Sequence, residues 1–187
     1  PAGSLASVGV ACRELIFIDV SGCAAAVDDV LMSSLRGLKY LRGLRIAGCT
    51  KLTDDGLAEV PNWTLRALDA SGLPHITDSG IERMARSLHT LEALDISGSG
   101  RPGHGRPGIG GPTITGAALE HLAAHCPKLE WVNTFGLKRE QGGGITDEAL
   151  AAFAAARFLD VADVARALPF PTTGFAAALD ARLRLRV

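Results

Sequence analysis

Short apolar runs with a fixed spacing recur along the whole chain. Residues 41–49 (LRGLRIAGC) show the pattern best, because Leu41, Leu44 and Ile46 are apolar and the residues between them are polar or small. Such alternation predicts a strand with one buried face. The run starts at seven positions, the last two being weaker copies: Leu15, Leu41, Leu65, Leu91, Leu129, Ala156 and Arg182. The chain is therefore predicted to be built from repeats.

A second recurring segment follows most of these runs and predicts the start of a helix. The segments are LTDDGL from Leu52, ITDSGI from Ile76, ITGAAL from Ile114 and ITDEAL from Ile145. The Thr side chain can cap free backbone N–H groups, and the Asp that often follows favours the positive end of the helix dipole. Apolar residues then recur at spacings of three and four, which predicts one helix face packed on a core.

The repeat length defines the expected architecture. Successive runs start 24 to 27 residues apart, except for 38 residues between Leu91 and Leu129, where a 12-residue insertion lies within Ser99 to Thr113. Spacings of 20 to 29 residues are typical of leucine-rich repeats, whose units bury their apolar faces only by stacking. We therefore predict an α/β leucine-rich repeat solenoid, an open right-handed horseshoe with parallel strands on the concave side and helices on the convex side.

The predicted solenoid is a single domain over residues 1–187 with about six to seven repeats. The repeat pattern begins within a predicted helix and ends within a predicted strand. Neither end has the polar residues that cover the core in terminal repeats. We therefore expect these residues to belong to a longer protein or a larger assembly.

The cysteine positions resemble a known family. Cys-x-x-Leu at Cys12 and Cys126, Gly-Cys at Cys23 and Cys49, and the Thr-Asp-x-Gly-Leu segments resemble the cysteine-containing leucine-rich repeats of F-box proteins, the substrate receptors of cullin-based ubiquitin ligases. The resemblance implies a non-enzymatic protein-interaction module, most specifically the substrate-recognition repeats of such a receptor. Similar repeats occur in ciliary and cytoskeletal scaffolds and in mitochondrial assembly factors, so the alternative is a structural subunit of a large assembly. An intracellular, cytoplasmic location is expected, and a cytoskeletal or ciliary one is compatible with the alternative.

Composition and residue spacing argue against several other functions. The chain is 47% hydrophobic with a net charge of −1, has no charge excess for general nucleic-acid binding and no apolar run long enough to span a membrane. All four cysteines occupy repeat positions where a small buried side chain suffices, which favours buried thiols over disulfides or zinc ligands. His121 and His125 lack the Glu of a His-Glu-x-x-His zinc site. We expect no enzyme activity, no metal and no cofactor.

One outward-facing column of the strands is rich in charge. Alternation along each strand places these residues on the concave face, and they read Asp19, Arg45, Asp69, Asp95, Asn133, Asp160 and Arg186. Two interpretations of Asp69 and Asp95 remain open. They form a solvated acidic face, balanced across strands by Arg45 and Arg66, or they bind a basic peptide.

A second outward column changes from small residues to aromatic ones. It runs from Gly43, Ala67 and Ala93 to Trp131 and Phe158, and Phe135 takes an outward place held by serine in neighbouring repeats. Exposed aromatic clusters mark interaction surfaces, because aromatic side chains bring a large contact area. The alternative is that the inserted loop folds over them and forms a local core.

Two insertions are expected to rise from one rim beside this cluster. The longer one is rich in glycine and proline, and the shorter one is Lys138–Gly144. The spacing of a nucleotide-binding phosphate loop is absent from both. They bring basic side chains near the aromatic cluster: Arg101, His104, Arg106, Lys138 and Arg139. The sequence thus predicts a protein partner on the concave face and the insertion rim.

Overall fold

Strands and helices alternate through the computed structural model of the protein, which describes residues 7–60, 64–100, 114–134, 136–137 and 145–157. The strands are β1 (Phe17–Asp19), β2 (Gly43–Arg45), β3 (Ala67–Asp69), β4 (Ala93–Asp95) and β5 (Trp131–Asn133). The helices are α1 (Val8–Ala11), α2 (Asp29–Ser34, followed by a 3-10 helix Leu35–Gly37), α3 (Asp54–Ala58), α4 (Asp78–Ala85), α5 (Gly116–His125) and α6 (Asp147–Arg157).

All five described strands form one parallel sheet in the order β1-β2-β3-β4-β5. Equivalent repeat positions pair directly, as in Leu44 with Leu68 and Leu68 with Leu94. Consecutive parallel strands need a crossover connection, and a helix supplies it in each repeat. The predicted α/β leucine-rich repeat solenoid is confirmed. The weaker repeat copies at 156 and 182 lie outside the described residues, so the count of six to seven repeats in one domain stays a prediction.

One continuous core lies between the sheet and the helices. The middle residue of each inner strand points into it, and Leu44, Leu68 and Leu94 have no exposed surface. The helices contribute residues such as Leu57 and Ile81, which are also completely buried. Because each buried side chain packs against the repeat before and the repeat after it, the core depends on stacking rather than on any one repeat.

The Thr-Asp segments link neighbouring repeats. Thr53 caps α3 by accepting a hydrogen bond from the amide of Asp55 at 3.3 Å, which confirms the predicted capping role of threonine. The aspartate does more than favour the helix dipole. The Asp54 carboxylate accepts hydrogen bonds from the Thr77 amide at 2.8 Å and the Thr77 hydroxyl at 2.5 Å, one repeat further along the chain. We call this pair of bonds an Asp–Thr staple.

Three Asp–Thr staples connect four successive helix starts in the described residues. Asp29 accepts from Thr53, Asp54 from Thr77 and Asp78 from Thr115, each through a backbone and a side-chain bond. The glycine of the Thr-Asp-x-Gly segment leaves room for the incoming carboxylate. A Cβ at Gly56 or Gly80 would lie 2.1 Å from a carboxylate oxygen of the preceding staple.

Cysteine burial differs from the prediction. Cys49 and Cys126 are buried, and the Cys49 thiol lies 3.3 Å from the Val20 carbonyl oxygen that accepts its hydrogen bond. Burial raises the pKa of Cys49 to about 11, which keeps it a neutral thiol. Cys12 and Cys23 are exposed, so the prediction of four buried thiols is wrong for these two. Both belong to the first described repeats, where no earlier described strand covers them.

Candidate functional site

The candidate site is the outer strand face, by which we mean the side chains that project from the sheet away from the helices. In each strand the middle residue enters the core, and the residues on either side of it project outwards. In β3, for example, Leu68 points inwards and Ala67 and Asp69 point outwards. Direct pairing of equivalent positions aligns these outward residues into two rows across the sheet.

The first row forms a floor of small residues with an aromatic ring at each end. Gly43, Ala67 and Ala93 lie side by side, with Phe17 beside Gly43 and Trp131 beside Ala93. Ala67 and Ala93 form a small cluster separate from the main core, and the partly exposed Trp131 packs against it. The Trp131 ring is therefore held in place by protein contacts while part of it remains accessible.

The second row is not a solvated acidic face, because Asp69 and Asp95 are only 4% and 8% exposed. Asp69 accepts hydrogen bonds from the Ser71 amide at 3.1 Å and from its hydroxyl at 2.7 Å. Asp95 accepts from the Ser97 amide at 2.9 Å. Short Asp side chains commonly bond a backbone amide two residues ahead, which here stabilises the turn after each strand. The solvated acidic face expected from the sequence is wrong at these positions.

Arg45 neutralises part of this row. Its guanidinium group lies between two aspartates on the neighbouring strands, with Nη1 at 2.9 Å from an Asp19 oxygen and Nε at 3.3 Å from an Asp69 oxygen. Arg66, expected to balance the same row, pairs instead with Glu92 at 2.7 Å. The ionic groups around the small-residue floor thus bond to one another. At the β5 end of the outer strand face, Trp131 is the large apolar group that remains accessible.

Burial also changes the acidity of Asp95. Desolvation raises the pKa of its carboxyl group, and hydrogen bonds from Ser97 and Asn133 oppose the rise only in part. At Asp19 the desolvation is outweighed by hydrogen bonds from Ser21 and by the Arg45 charge, so the pKa of this carboxyl is lowered. The two aspartates of one row therefore have pKa values shifted in opposite directions from 3.8.

These opposite shifts predict opposite pH dependences of stability. Asp95 contributes stability that is present below pH 3.8 and is lost as the pH rises through its raised folded pKa. The free energy of unfolding of the wild type minus that of Asp95→Asn should therefore fall as the pH rises through this window. The matched variant Asp19→Asn should show the reverse, since stability from Asp19 is lost as the pH falls below 3.8. Urea unfolding at a series of pH values measures both, and parallel curves for the two variants would contradict the assignment.

Six of the predicted site residues lie outside the described residues: Phe135, Phe158, Arg101, Arg106, Lys138 and Arg139. Their role in partner binding stays a prediction, as does that of Asp69 and Asp95. Trp131 is the one member of the predicted aromatic cluster that the structure describes. Phe17 was missed, although it stands in the same column as Trp131 and is 37% exposed.

Within the described parts of the chain, no three His, Cys, Asp or Glu side chains come together in a way that could hold a metal ion. The recurring Thr and Asp residues are used by helix caps and Asp–Thr staples. No described helix is both long enough and apolar enough to cross a membrane.

The fold and the outer strand face place this chain in the class of leucine-rich repeat α/β solenoids. Among solved structures, it is similar to the tropomodulin C-terminal domain of Caenorhabditis elegans, with 14% sequence identity and a TM-score of 0.55 over 84% of this chain and 91% of that one. It is also similar to the leiomodin-1 actin-binding site 2, with 15% identity and a TM-score of 0.52 over 83% and 88%. At this identity the likeness shows the fold alone.

No family model and no curated protein matches the sequence. The expected membership of the cysteine-containing repeats of F-box proteins is wrong, because the structural similarity is to tropomodulin and leiomodin domains.

Proposed function

We propose that this chain is a non-enzymatic protein-binding solenoid that acts as a structural subunit of a cytoskeletal assembly in the cytoplasm. The observation that carries the proposal is Trp131, a partly exposed indole that rests on Ala67 and Ala93 on the outer strand face. The similar leiomodin-1 domain is by name an actin-binding site. Actin filaments are therefore the first partner to test.

The surroundings of Trp131 are those expected of a side chain that anchors a binding partner. Large aromatic side chains supply much of the energy of protein interfaces when a partner removes them from water. Binding costs less when the side chain is already ordered, and the contact with the two alanines orders this ring. The neighbouring ion pairs, Arg45 with Asp69 and Arg66 with Glu92, are satisfied within the protein. They therefore favour a partner that brings an apolar group rather than one held mainly by charge.

The two insertions extend the proposed surface. They follow β4 and β5 in the sequence, and we include their basic residues Arg101, Arg106, Lys138 and Arg139 in the surface proposed around Trp131. Phe135 and Phe158 belong to the same proposed patch by their repeat positions. Basic groups at the rim of an interface mainly accelerate association with an acidic surface and make it sensitive to salt.

Trp131→Ala is expected to weaken partner binding at least about tenfold, equivalent to about 1.4 kcal/mol, without unfolding the protein. The measurement is co-sedimentation with actin filaments over a range of filament concentrations, with a parallel spin of the protein alone. Tyr40→Ala is the matched control, because Tyr40 is an aromatic residue that is 61% exposed in the turn before β2. Circular dichroism melting verifies that both variants are folded.

Each result bears on a different part of the proposal. Absence of wild-type protein from the filament pellet would reject actin as the partner. Normal binding by Trp131→Ala together with loss of binding by Tyr40→Ala would reject the outer strand face as the site. Charge reversal at Arg101 and Arg106 should reduce the association rate more than it increases the dissociation rate.

A further inference from the structure

Within the described residues, the series of Asp–Thr staples ends at the junction between α5 and α6. The first residue of α2, α3 and α4 is the aspartate of a staple: Asp29, Asp54 and Asp78. In α5 this place is taken by Gly116, which has no side chain to reach the next helix start. The α5–α6 junction is therefore built differently from the three stapled junctions before it.

The residue that this junction lacks is the carboxylate at position 116. Asp78 forms its staple with Thr115 although the third residue after that threonine is Ala118 rather than the usual glycine. An alanine at that place is thus compatible with a staple. Ala149 holds the same place in α6, and a Cβ on Gly116 would lie 2.9 Å from the Ala149 Cβ. At the α5–α6 junction two small residues therefore pack together where the earlier junctions have two hydrogen bonds.

Thr146 is placed differently from the threonines of the staples. Thr53, Thr77 and Thr115 are partly buried, whereas Thr146 is exposed. The Thr146 hydroxyl accepts a hydrogen bond from the Ala149 amide at 3.2 Å, so it ties the start of α6 to its own helix. In the stapled repeats the corresponding hydroxyl also donates to the preceding helix.

The sheet continues through the same junction unchanged. Strand β5 pairs with β4 in the register of the earlier strands. The amides of Glu130 and Trp131 donate to the Glu92 carbonyl at 2.9 and 3.1 Å, and the Ile96 amide donates to the Asn133 carbonyl at 3.0 Å. Backbone pairing thus holds the two repeats together on the strand side, even where the helix side has no staple.

Apolar packing holds α6 against the core. Leu150, Phe153 and Ala154 of this helix are buried in the same core as the leucines of the strands. Hydrophobic contacts are non-directional, whereas a hydrogen bond weakens steeply when its angle changes. A helix held by apolar contacts alone therefore tilts and separates more easily than one whose start is also fixed by two hydrogen bonds.

We propose that the α5–α6 junction is a conformational hinge of the solenoid. The stapled helices α2 to α5 stay together as one block, while α6 separates from α5 in a local opening that leaves β4 and β5 paired. Proteins open locally in cooperative units of different stability, and the missing staple makes α6 a separate unit. Because Trp131 on β5 lies between these two helices in the chain, the opening lets its repeat tilt relative to the repeats of β1 to β4.

Hydrogen exchange followed by mass spectrometry measures such openings one peptide at a time. In the wild type, α6 amides should exchange at least about tenfold faster than α4 amides, each relative to its rate in an unfolded peptide. The bonded amides of β5 should stay protected while α6 exchanges, since the sheet remains paired in the open state.

The decisive variant installs the missing staple. Gly116→Asp is combined with Ala149→Gly, which removes the methyl group that an added Cβ would approach at 2.9 Å. The matched control is Gly116→Ala with Ala149→Gly, which adds the same Cβ without the carboxylate. The carboxylate should slow exchange in α6 at least about tenfold relative to this control, because it accepts from the Thr146 amide and hydroxyl. Slower exchange confined to α5 would indicate only an effect on the dipole of α5 and would contradict the hinge.

The reverse substitution creates a second hinge. Asp54→Gly removes the staple between α3 and α4, and Asp55→Gly, which removes an exposed carboxylate from the same helical turn, is its control. Asp54→Gly should accelerate exchange in α3 and at the start of α4 at least about tenfold more than Asp55→Gly does. Circular dichroism melting verifies that all variants are folded. The proposal is overturned if α6 of the wild type is as protected as α4, if Gly116→Asp and Gly116→Ala protect α6 equally, or if Asp54→Gly exchanges like Asp55→Gly.

Discussion

Leu94→Ala is expected to lower the free energy of unfolding by about 2–5 kcal/mol. Leu94 has no exposed surface and lies in the middle of the sheet, between Leu68 on β3 and Val132 on β5. Truncation leaves a cavity that two neighbouring repeats line, and it also weakens the stacking through which repeats stabilise one another. Urea unfolding followed by circular dichroism measures the loss.

Two further variants, at Leu94 and at Asp95, serve as comparisons for the loss expected from Leu94→Ala. Leu94→Met retains most of the volume and should cost less than about 1.5 kcal/mol. The outward position of Asp95 alone would predict about 0.5 kcal/mol or less for Asp95→Ala. Its burial and its bonds to Ser97 and Asn133 raise the expected loss to about 1–3 kcal/mol, because the donors lose their acceptor. A Leu94→Ala variant as stable as Leu94→Met would show that the inward register is wrong.

Asp54→Ala is expected to lower the free energy of unfolding by about 1–3 kcal/mol. The substitution removes the acceptor of the Thr77 amide and hydroxyl, both partly buried at the junction of two repeats. Asp55→Ala is the matched control in the same first helical turn. Its carboxylate is 77% exposed and bonds only Arg83 in the described structure, so its loss should be about 0.5 kcal/mol or less.

The pair separates two roles for the acidic residues. If Asp54 acted only through the helix dipole, both substitutions would cost similar amounts, since both residues lie in the first turn of α3. Equal losses in urea unfolding at neutral pH would therefore contradict the Asp–Thr staple. Repeating the measurement at high salt sharpens the contrast, because salt screens the exposed ion pair much more than the buried hydrogen bonds.

Local and periodic features of the fold are predictable from the sequence. The inward leucines, the parallel strands and the threonine caps follow from spacings of two, three and four residues, which a single repeat already contains. Repetition of the unit then predicts stacking. The candidate site is less predictable: the outward position of Trp131 follows from alternation, but its support by Ala67 and Ala93 depends on two other strands.

The tertiary structure decided which side chains make contact between repeats. The Asp54 carboxylate reaches Thr77, 23 residues along the chain, and Arg45 joins Asp19 to Asp69 across three strands. Burial of Asp95 and exposure of Cys23 likewise depend on which neighbours surround a position, since both occupy ordinary places in the repeat pattern. The sequence by itself determined the repeat and its inward face, because those arise from backbone periodicity. Side-chain partners arise from stacking, which brings together residues that no local pattern relates.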